Sequence, residues 1–99
     1  MESKSKGAGH RMIEIRLLRG DEYQVKVAGR NETVHQVTLR KADLKRLAGE
    51  ETSAEKLIEE SFRFLLERES NTSILATFDL PVIGRYFPEY EQVIRQRLS

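Results

Sequence analysis

Three consecutive segments between residues 12 and 40 alternate apolar with polar side chains, and no other feature constrains the fold as strongly. Successive side chains of a β-strand point to opposite faces, so alternation with a period of two predicts a half-buried strand. The residues that share the predicted buried face are Ile13, Ile15 and Leu17, then Tyr23, Val25 and Val27, then His35, Val37 and Leu39. Three such strands in succession predict an antiparallel meander with one buried face.

The turn between the first two strands contains Gly20 and Asp21, which suits a tight hairpin. A two-residue loop in simple register, however, sets apolar residues opposite polar ones and mixes the two faces of the sheet. We therefore expect a three-residue loop or a β-bulge. The predicted pairs are Leu17 with Val25 and Ile15 with Val27 in the first hairpin, and Val25 with Val37 and Tyr23 with Leu39 in the second.

Two helices are predicted after the third strand. Residues 41–48 fit a short helix that ends at Gly49, since glycine commonly follows the last helical residue. Thr52 and Glu55 have the spacing of a capping box, in which each side chain accepts a hydrogen bond from a backbone N–H near the helix start. The second helix is predicted to run from this box to about Glu69.

The second helix is apolar over more of its circumference than contact with one sheet requires. Its apolar residues are Leu57, Ile58, Phe62, Phe64, Leu65 and Leu66. Two candidates fit as a cover for the extra surface: the C-terminal segment, or the same helix of a second subunit. The residues predicted for such a homodimer contact are Leu57, Phe62, Phe64 and Leu66.

Two prolines divide the C-terminal segment. Pro81 favours the start of a short helix, and Pro88 ends that helix near Tyr86 and Phe87. A last helix is predicted from about Glu89.

The chain of 99 residues suits one domain, and no linker or repeat divides it after residue 11. We expect a disordered tail at residues 1–11 and a single α+β domain at residues 12–99. In that domain an antiparallel three-stranded meander is followed by a short helix, a long helix and a C-terminal helical segment, all packed on one face.

Composition narrows the classes of function. The chain has no cysteine, which excludes disulfides and thiolate metal sites and favours a reducing, cytoplasmic location. With two histidines, His10 and His35, it cannot build a histidine cluster for a metal, so the sequence predicts no metal and no cofactor. Apolar runs are far shorter than the roughly 20 residues that span a bilayer, so no membrane association is predicted.

The net charge is +1, but the two halves differ in sign. Residues 1–48 hold eleven Lys and Arg against six Asp and Glu, whereas residues 49–99 hold six against ten. This asymmetry is compatible with a basic face, with head-to-tail electrostatic pairing, or with a solvated surface whose charges segregate.

The sequence contains no nucleophile elbow and no phosphate-binding loop before a helix. His35 has the parity of the buried face, where a hydrogen-bonded structural histidine is the common case. The chain is therefore predicted not to be an enzyme. An enzyme that uses carboxylates and arginines in a cleft is the alternative, and a concave pocket with convergent polar groups would mark it.

Residues 36–66 resemble the ribbon-helix-helix family of DNA-binding domains. Gln36-Val-Thr-Leu-Arg40 matches the strand, a short helix follows, and Thr52-Ser-Ala-Glu opens the second helix. The resemblance implies that outward strand residues read base edges and that the helix start binds a phosphate. The implied nucleic-acid contacts are Gln36, Thr38, Arg40, Thr52 and Ser53. The predicted first helix is about one turn shorter than in that family, the second is acidic, and two upstream strands compete for pairing.

A cluster of aromatic residues lies near the C-terminus, where Phe78, Tyr86, Phe87 and Tyr90 fall within thirteen residues. Such a cluster either closes the core or anchors a protein partner. The run F-D-L-x-V-I-x-x-Y-F-P-E-Y, residues 78–90, resembles the closing segment of small uncharacterised prokaryotic proteins. That resemblance implies a stand-alone prokaryotic protein and carries no known activity.

The sequence thus favours a non-enzymatic interaction module whose partner is another protein or a second copy of the chain. The alternative is a ribbon-helix-helix-like, DNA-binding transcriptional regulator or antitoxin.

Overall fold

The computed structural model describes residues 12–99, and the predicted tail at residues 1–11 lies outside them. The elements, in chain order, are β1 (Met12–Arg19), β2 (Glu22–Ala28), β3 (Thr33–Thr38), α1 (Lys41–Ala48), α2 (Ala54–Leu66), a 3₁₀ turn (Asn71–Ser73), β4 (Thr77–Asp79), a second 3₁₀ turn (Leu80–Val82), α3 (Ile83–Tyr86) and α4 (Tyr90–Leu98). The predicted α+β class is confirmed.

The sheet contains the predicted meander and one additional strand. Its order is β1-β2-β3-β4, with β1 to β3 antiparallel and β4 parallel to β3. Parallel neighbours need a long crossover, which here is the stretch that contains α1 and α2. The prediction of three strands is therefore incomplete. Residues 77–79 are too few for an alternating pattern to be recognised, because Phe78 alone faces the core.

The faces of the strands follow the prediction, but the paired residues do not. Leu17 lies opposite Tyr23 rather than Val25, and Val25 lies opposite His35 rather than Val37. Each register differs from the predicted one by two residues. Because side chains repeat every two residues, a slip of two keeps every apolar residue on the buried face.

The first hairpin turns within two residues, Gly20 and Asp21, and Gly20 adopts a φ of 51°. The register shifts between Leu17 and Arg19, so the extra residue is absorbed as a bulge in β1. The expected β-bulge is present, and it reconciles a tight turn with separate apolar and polar faces.

Helix α1 coincides with the predicted residues 41–48. It ends at Gly49, which has a φ of 82° and donates its N–H to the carbonyl of Lys45. The start of α2 differs from the prediction, because Ser53 rather than Thr52 caps it by accepting a hydrogen bond from the N–H of Lys56. The capping residue predicted at Thr52 is therefore wrong by one position. Helix α2 ends at Leu66, whereas the prediction extends it to about Glu69.

The core lies between the inner face of the sheet and the helices. It is formed by Val25, Val27, Val37, Leu39, Leu47, Leu57, Ile58, Phe62, Phe64, Leu65, Ile74, Phe78, Leu80, Ile83, Tyr90 and Ile94. The C-terminal segment covers the side of α2 that faces away from the sheet, with Tyr90 and Ile94 of α4 fully buried there. Of the two candidate covers, the C-terminal segment is the one present.

This packing corrects the predicted homodimer contact. Leu57, Phe62 and Phe64 are fully buried within one chain, and Leu66 is half-buried. These side chains already contact their own sheet and their own C-terminal segment, so they do not form an open surface for a second copy.

Within residues 12–99, no helix combines the length and the apolar character that crossing a bilayer demands.

Candidate partner-binding site

An apolar cavity of about 170 Å³ lies between the end of α2, the segment before β4, and α3. It is lined by Leu65, Glu69, Ser73, Ile74, Leu75, Phe78, Val82, Ile83, Tyr86 and Phe87. Two of the apolar and aromatic side chains in this lining face the solvent to a large extent, since Leu75 is 45% and Tyr86 65% exposed. The cavity is therefore open at a rim that carries exposed apolar and aromatic surface.

The local sequence explains why these side chains converge. Pro81 lies at the start of the second 3₁₀ turn, where its fixed φ and missing N–H are compatible with a helical conformation. The chain continues directly into α3, and Phe87 ends α3 in an extended conformation just before Pro88. This short helical stretch turns Ile83 inward and leaves Tyr86 at the rim.

Three of the four predicted partner-contact residues line the cavity: Phe78, Tyr86 and Phe87. Phe78 is nearly buried on the inner face of β4, whereas Tyr86 is the most exposed of the three. The prediction missed Leu65, Ile74, Leu75, Val82 and Ile83, which complete the apolar wall. The apolar pair at residues 74 and 75, just ahead of Phe78, was the available signal in the sequence.

Tyr90 does not belong to this site, and its assignment as a partner contact is wrong. Its side chain is fully buried in the core, where its hydroxyl lies 2.6 Å from Ser61 Oγ. Ser61 donates its own hydrogen to the carbonyl of Leu57, so the tyrosine donates to the serine. Burial raises the pKa of Tyr90 to about 12.

The wall at Phe87 is held by α2. The ring of Phe87 meets Phe64 edge-on, with 5.8 Å between the centroids. The guanidinium of Arg68 lies over the other ring, 3.6 Å from the centroid of Phe64, and its Nε donates to Glu89 at 3.0 Å. This cation–π and ion-pair arrangement ties the end of α2 to the residues just after α3.

The segment before β4 is held by a buried polar cluster around His35. The ring Nδ1 lies 2.7 Å from the carbonyl of Leu75, which can only accept, so Nδ1 carries the hydrogen. Asn71 donates to the hydroxyl of Thr33 and to the carbonyl of Asn31. The Thr33 hydroxyl is then free to donate to Nε2 of His35, 2.9 Å away. His35 is thus a structural histidine that positions Leu75 at the rim of the cavity.

This polar cluster gives a stability prediction. We expect Asn71→Ala to lower the free energy of unfolding by about 2 kcal/mol, because the buried side chain of Asn71 is removed and two partly buried acceptors lose their donor. Asn31→Ala is the matched control, since Asn31 contributes its backbone carbonyl to the cluster. Its expected effect is within about 0.5 kcal/mol. Urea unfolding of both variants tests the prediction, and equal destabilisation would contradict it.

The backbone of β4 is the second component of the site. The carbonyl of Ala76 accepts from the N–H of Gln36 on β3, at 2.7 Å. Because backbone groups alternate in direction along a strand, the N–H and carbonyl of Thr77 point the other way. In the described sheet β4 has one neighbour, so Thr77 presents its backbone groups at the free edge next to the cavity.

The predicted nucleic-acid contacts are not brought together. Gln36 and Thr38 lie on the outer face of the sheet, whereas Thr52 and Ser53 precede α2, which packs on the inner face. Acidic residues flank the outward set, since Gln36 lies 3.4 Å from Glu22 and Arg40 forms an ion pair with Asp79. The hydroxyl of Ser53 is already used as the cap of α2.

The position of β3 also bears on the ribbon-helix-helix resemblance. In that family the strand pairs with the same strand of a second subunit, but here β2 and β4 occupy both edges of β3. DNA binding therefore stays a prediction from the sequence, which no contact among residues 12–99 favours. Binding of duplex DNA at low salt that is lost in Arg40→Ala would support it.

Among the residues that the structure describes, no group of three or more His, Asp or Glu is arranged to hold a metal ion. Comparison of the chain with protein-family models, with curated proteins and with solved structures finds no match.

Proposed function

We propose that this chain is a non-enzymatic interaction module that binds an extended segment of a protein partner. One apolar side chain of that segment fills the cavity, and its backbone runs along the free edge of β4. The observation that carries the proposal is an open apolar cavity beside strand backbone that has no neighbour on this side in the described sheet.

The size of the cavity favours a side chain as its occupant. Sites for small molecules and cofactors commonly enclose about 300–1,000 Å³. A cavity of about 170 Å³ is smaller than that range and comparable to one large apolar side chain. Apolar or aromatic anchors in such pockets commonly supply most of the affinity of an interface.

The edge of β4 would fix the orientation of the partner segment and would add little to the affinity for it. With three residues, β4 offers an incoming strand few hydrogen bonds, all near Thr77. Strand addition of this kind takes its specificity from pockets that receive alternate side chains. The cavity lies on the inner side of β4, where such a side chain would enter.

The charge of the wall refines the chemistry of the partner. Glu69 is the one charged residue among those that line the cavity in the described structure. A basic residue next to the apolar anchor would therefore meet a carboxylate at the rim. The expected partner segment combines a large apolar residue with a nearby Lys or Arg.

The wall offers little for catalysis. Its polar side chains are Glu69, Ser73 and Tyr86, and the hydroxyl of Ser73 lies 3.5 Å from that of Ser70. A serine nucleophile needs an adjacent general base, and this neighbour is another serine hydroxyl. This supports the non-enzymatic part of the proposal.

Selection from a library of random linear peptides tests the proposal. We expect the selected peptides to share a large apolar residue and to bind the wild-type chain. Leu75→Glu places a charge at the rim and should weaken their binding at least about tenfold, since truncated or blocked anchors commonly cost that much. Val34→Glu is the matched control, because Val34 is an exposed apolar residue on the opposite face of the sheet.

Nuclear magnetic resonance locates the binding site in the same experiment. Addition of a selected peptide should shift the amide signals of Thr77 and of the residues that line the cavity. The proposal is wrong if no peptide is selected, if the peptides bind Leu75→Glu as tightly as wild type, or if the shifts fall elsewhere.

A further inference from the structure

In the sheet that residues 12–99 form, the second edge strand is β1, and it is much longer than β4. It spans the eight residues Met12–Arg19, and β2 is its one neighbour in the described sheet. Long edge strands readily pair with another chain, and proteins commonly protect them with short length, proline, inward-facing charge or a β-bulge. The bulge of β1 lies between Leu17 and Arg19, so the stretch from Met12 to Leu17 is regular. Proline is absent from β1, and its inward-facing residues are apolar.

The inner face of β1 is incompletely covered. Ile13 and Ile15 are half-buried and Leu17 is 52% exposed, whereas Val25 and Val27 on the same face of β2 are fully buried. The apolar face of the sheet therefore continues to its edge, where α2 contacts β1 but leaves part of its apolar surface exposed. An additional strand beside β1 would bury these three side chains further.

We propose that β1 pairs antiparallel with β1 of a second copy of this chain, with Ile15 on the twofold axis. In an antiparallel ladder, residues directly opposite each other share a face, so only registers that pair residues of equal parity keep the apolar face intact. Three such registers lie near the middle of β1, centred on Glu14, Ile15 or Arg16.

Charge selects among these registers. A centre at Glu14 sets that carboxylate opposite its own copy, and a centre at Arg16 does the same with two guanidinium groups. Like charges directly opposite are destabilising, and opposite charges are stabilising. The centre at Ile15 sets Glu14 opposite Arg16 twice on the outer face and Ile13 opposite Leu17 twice on the inner face.

The dimer has a defined architecture. Because a twofold axis between antiparallel neighbours is perpendicular to the sheet, the two sheets join into one of eight strands with both helix layers on the same side. The β4 edges lie at the two ends of this sheet. Both cavities stay open, so the dimer presents two partner-binding sites.

Charge reversal tests the register. Wild type should show a mass of twice the 11.5 kDa chain in sedimentation equilibrium at high concentration. Glu14→Arg and Arg16→Glu should each weaken the dimer about tenfold or more. Each substitution places two pairs of like charges directly opposite each other across the twofold axis. Mixing the two variants should restore dimerisation, because every cross-axis pair in the mixed dimer is then of opposite sign.

A control separates this effect from damage within one chain. Glu14 lies opposite Lys26 of β2, so Glu14→Arg also disturbs a cross-strand pair inside the subunit. Lys26→Glu disturbs the same pair but lies one strand away from the edge, and it should leave the dimer unchanged. A wild-type chain that stays monomeric, or a mixture that does not recover, would overturn the proposal.

Cysteine cross-linking provides an independent readout, because the chain contains no cysteine of its own. In the proposed register, residue 15 faces its own copy at a distance that a disulfide spans, whereas residue 17 is displaced from its copy by about 13 Å along the strands. Ile15→Cys should form a covalent dimer under mild oxidation and Leu17→Cys should not. Leu17 is the more exposed position, so faster cross-linking there would indicate random collision and overturn the register.

Discussion

Replacing Phe64 with alanine is expected to lower the free energy of unfolding by about 3–5 kcal/mol, the usual cost of removing a buried phenylalanine ring. Phe64 is fully buried and connects three parts of the structure. Its ring contacts Phe87 and Tyr90 edge-on and lies beneath the guanidinium of Arg68. The variant loses the favourable free energy of burying the ring away from water. It also loses the contacts that attach the C-terminal segment to α2.

The magnitude matters because small domains are marginally stable, with a total of about 5–15 kcal/mol. Denaturant unfolding followed by circular dichroism measures the loss. Tyr86→Ala is the matched control, since it removes an aromatic ring that is 65% exposed, and its effect on stability should be within about 1 kcal/mol. Similar losses in the two variants would mean that Phe64 is not a central residue of the core.

Phe64→Ala also has a specific consequence for the cavity. Without the ring of Phe64, Phe87 loses its edge-on partner, and Phe87 lines the candidate site. We therefore expect selected peptides to bind Phe64→Ala more weakly, even under conditions where most molecules remain folded.

The free energy of unfolding is also expected to fall steeply between about pH 10 and pH 12, in large part through Tyr90. Burial raises the pKa of Tyr90 from its ordinary value of 10.0 to about 12 in the folded chain. Above pH 10 the unfolded chain releases this proton while the folded chain retains it, so rising pH favours unfolding. The limiting slope is about 1.4 kcal/mol per pH unit, which gives between about 2 and 3 kcal/mol across the window.

Tyr90→Phe isolates this contribution. The variant should lose about 1 kcal/mol at neutral pH, because the hydrogen bond to Ser61 is removed. Its stability should then fall less steeply above pH 10 than that of wild type. Tyr23, whose pKa is raised by burial and by Glu55 and Asp21, acts in the same direction in both proteins and cancels in the comparison.

Urea unfolding at several pH values from 9 to 11 provides the measurement. Tyr86→Phe is the control for loss of an exposed phenol, and it should keep the wild-type slope. Parallel pH profiles for wild type and Tyr90→Phe would contradict the assignment of the effect to Tyr90.

The sequence pattern predicts which face of each strand is buried better than it predicts which residues pair across neighbouring strands. The alternation in β1, β2 and β3 places Val25 and Val37 on the buried face, as found, but both hairpins are displaced by two residues from the predicted register. Burial depends on which face of the strand a residue lies on, and a register shift of two residues leaves that face unchanged. The register of the first hairpin instead depends on the backbone of Gly20 and on the bulge beside it.

The missing strand and the misassigned tyrosine have related causes. β4 forms through contacts with β3 across about forty residues of intervening chain, and such pairing leaves little local signal in the sequence. The sequence prediction groups Tyr90 with Phe87 because the two residues are close in the chain. Tyr90 instead shares the apolar face of α4 with Ile94, four residues later, and that spacing points it into the core.

Part of the candidate site could be predicted and part could not. The density of aromatic residues identified Phe78, Tyr86 and Phe87 as exceptional, and all three line the cavity. The wall also needs Leu65 from the end of α2 and Leu75 from the segment before β4. These come together through tertiary contacts, including those of His35 and Arg68, which no local pattern specifies.

The parallel pairing of β3 with β4 has a consequence for how the chain acquires its structure. Gln36 must meet Thr77, and His35 must meet the carbonyl of Leu75, so these contacts close a loop of about forty residues. Closing long loops is entropically costly and slows folding. During synthesis on the ribosome, one edge of β3 stays unpaired until α1, α2 and the residues of β4 have emerged. We therefore expect nascent chains that stop before β4 to be the species most dependent on chaperones.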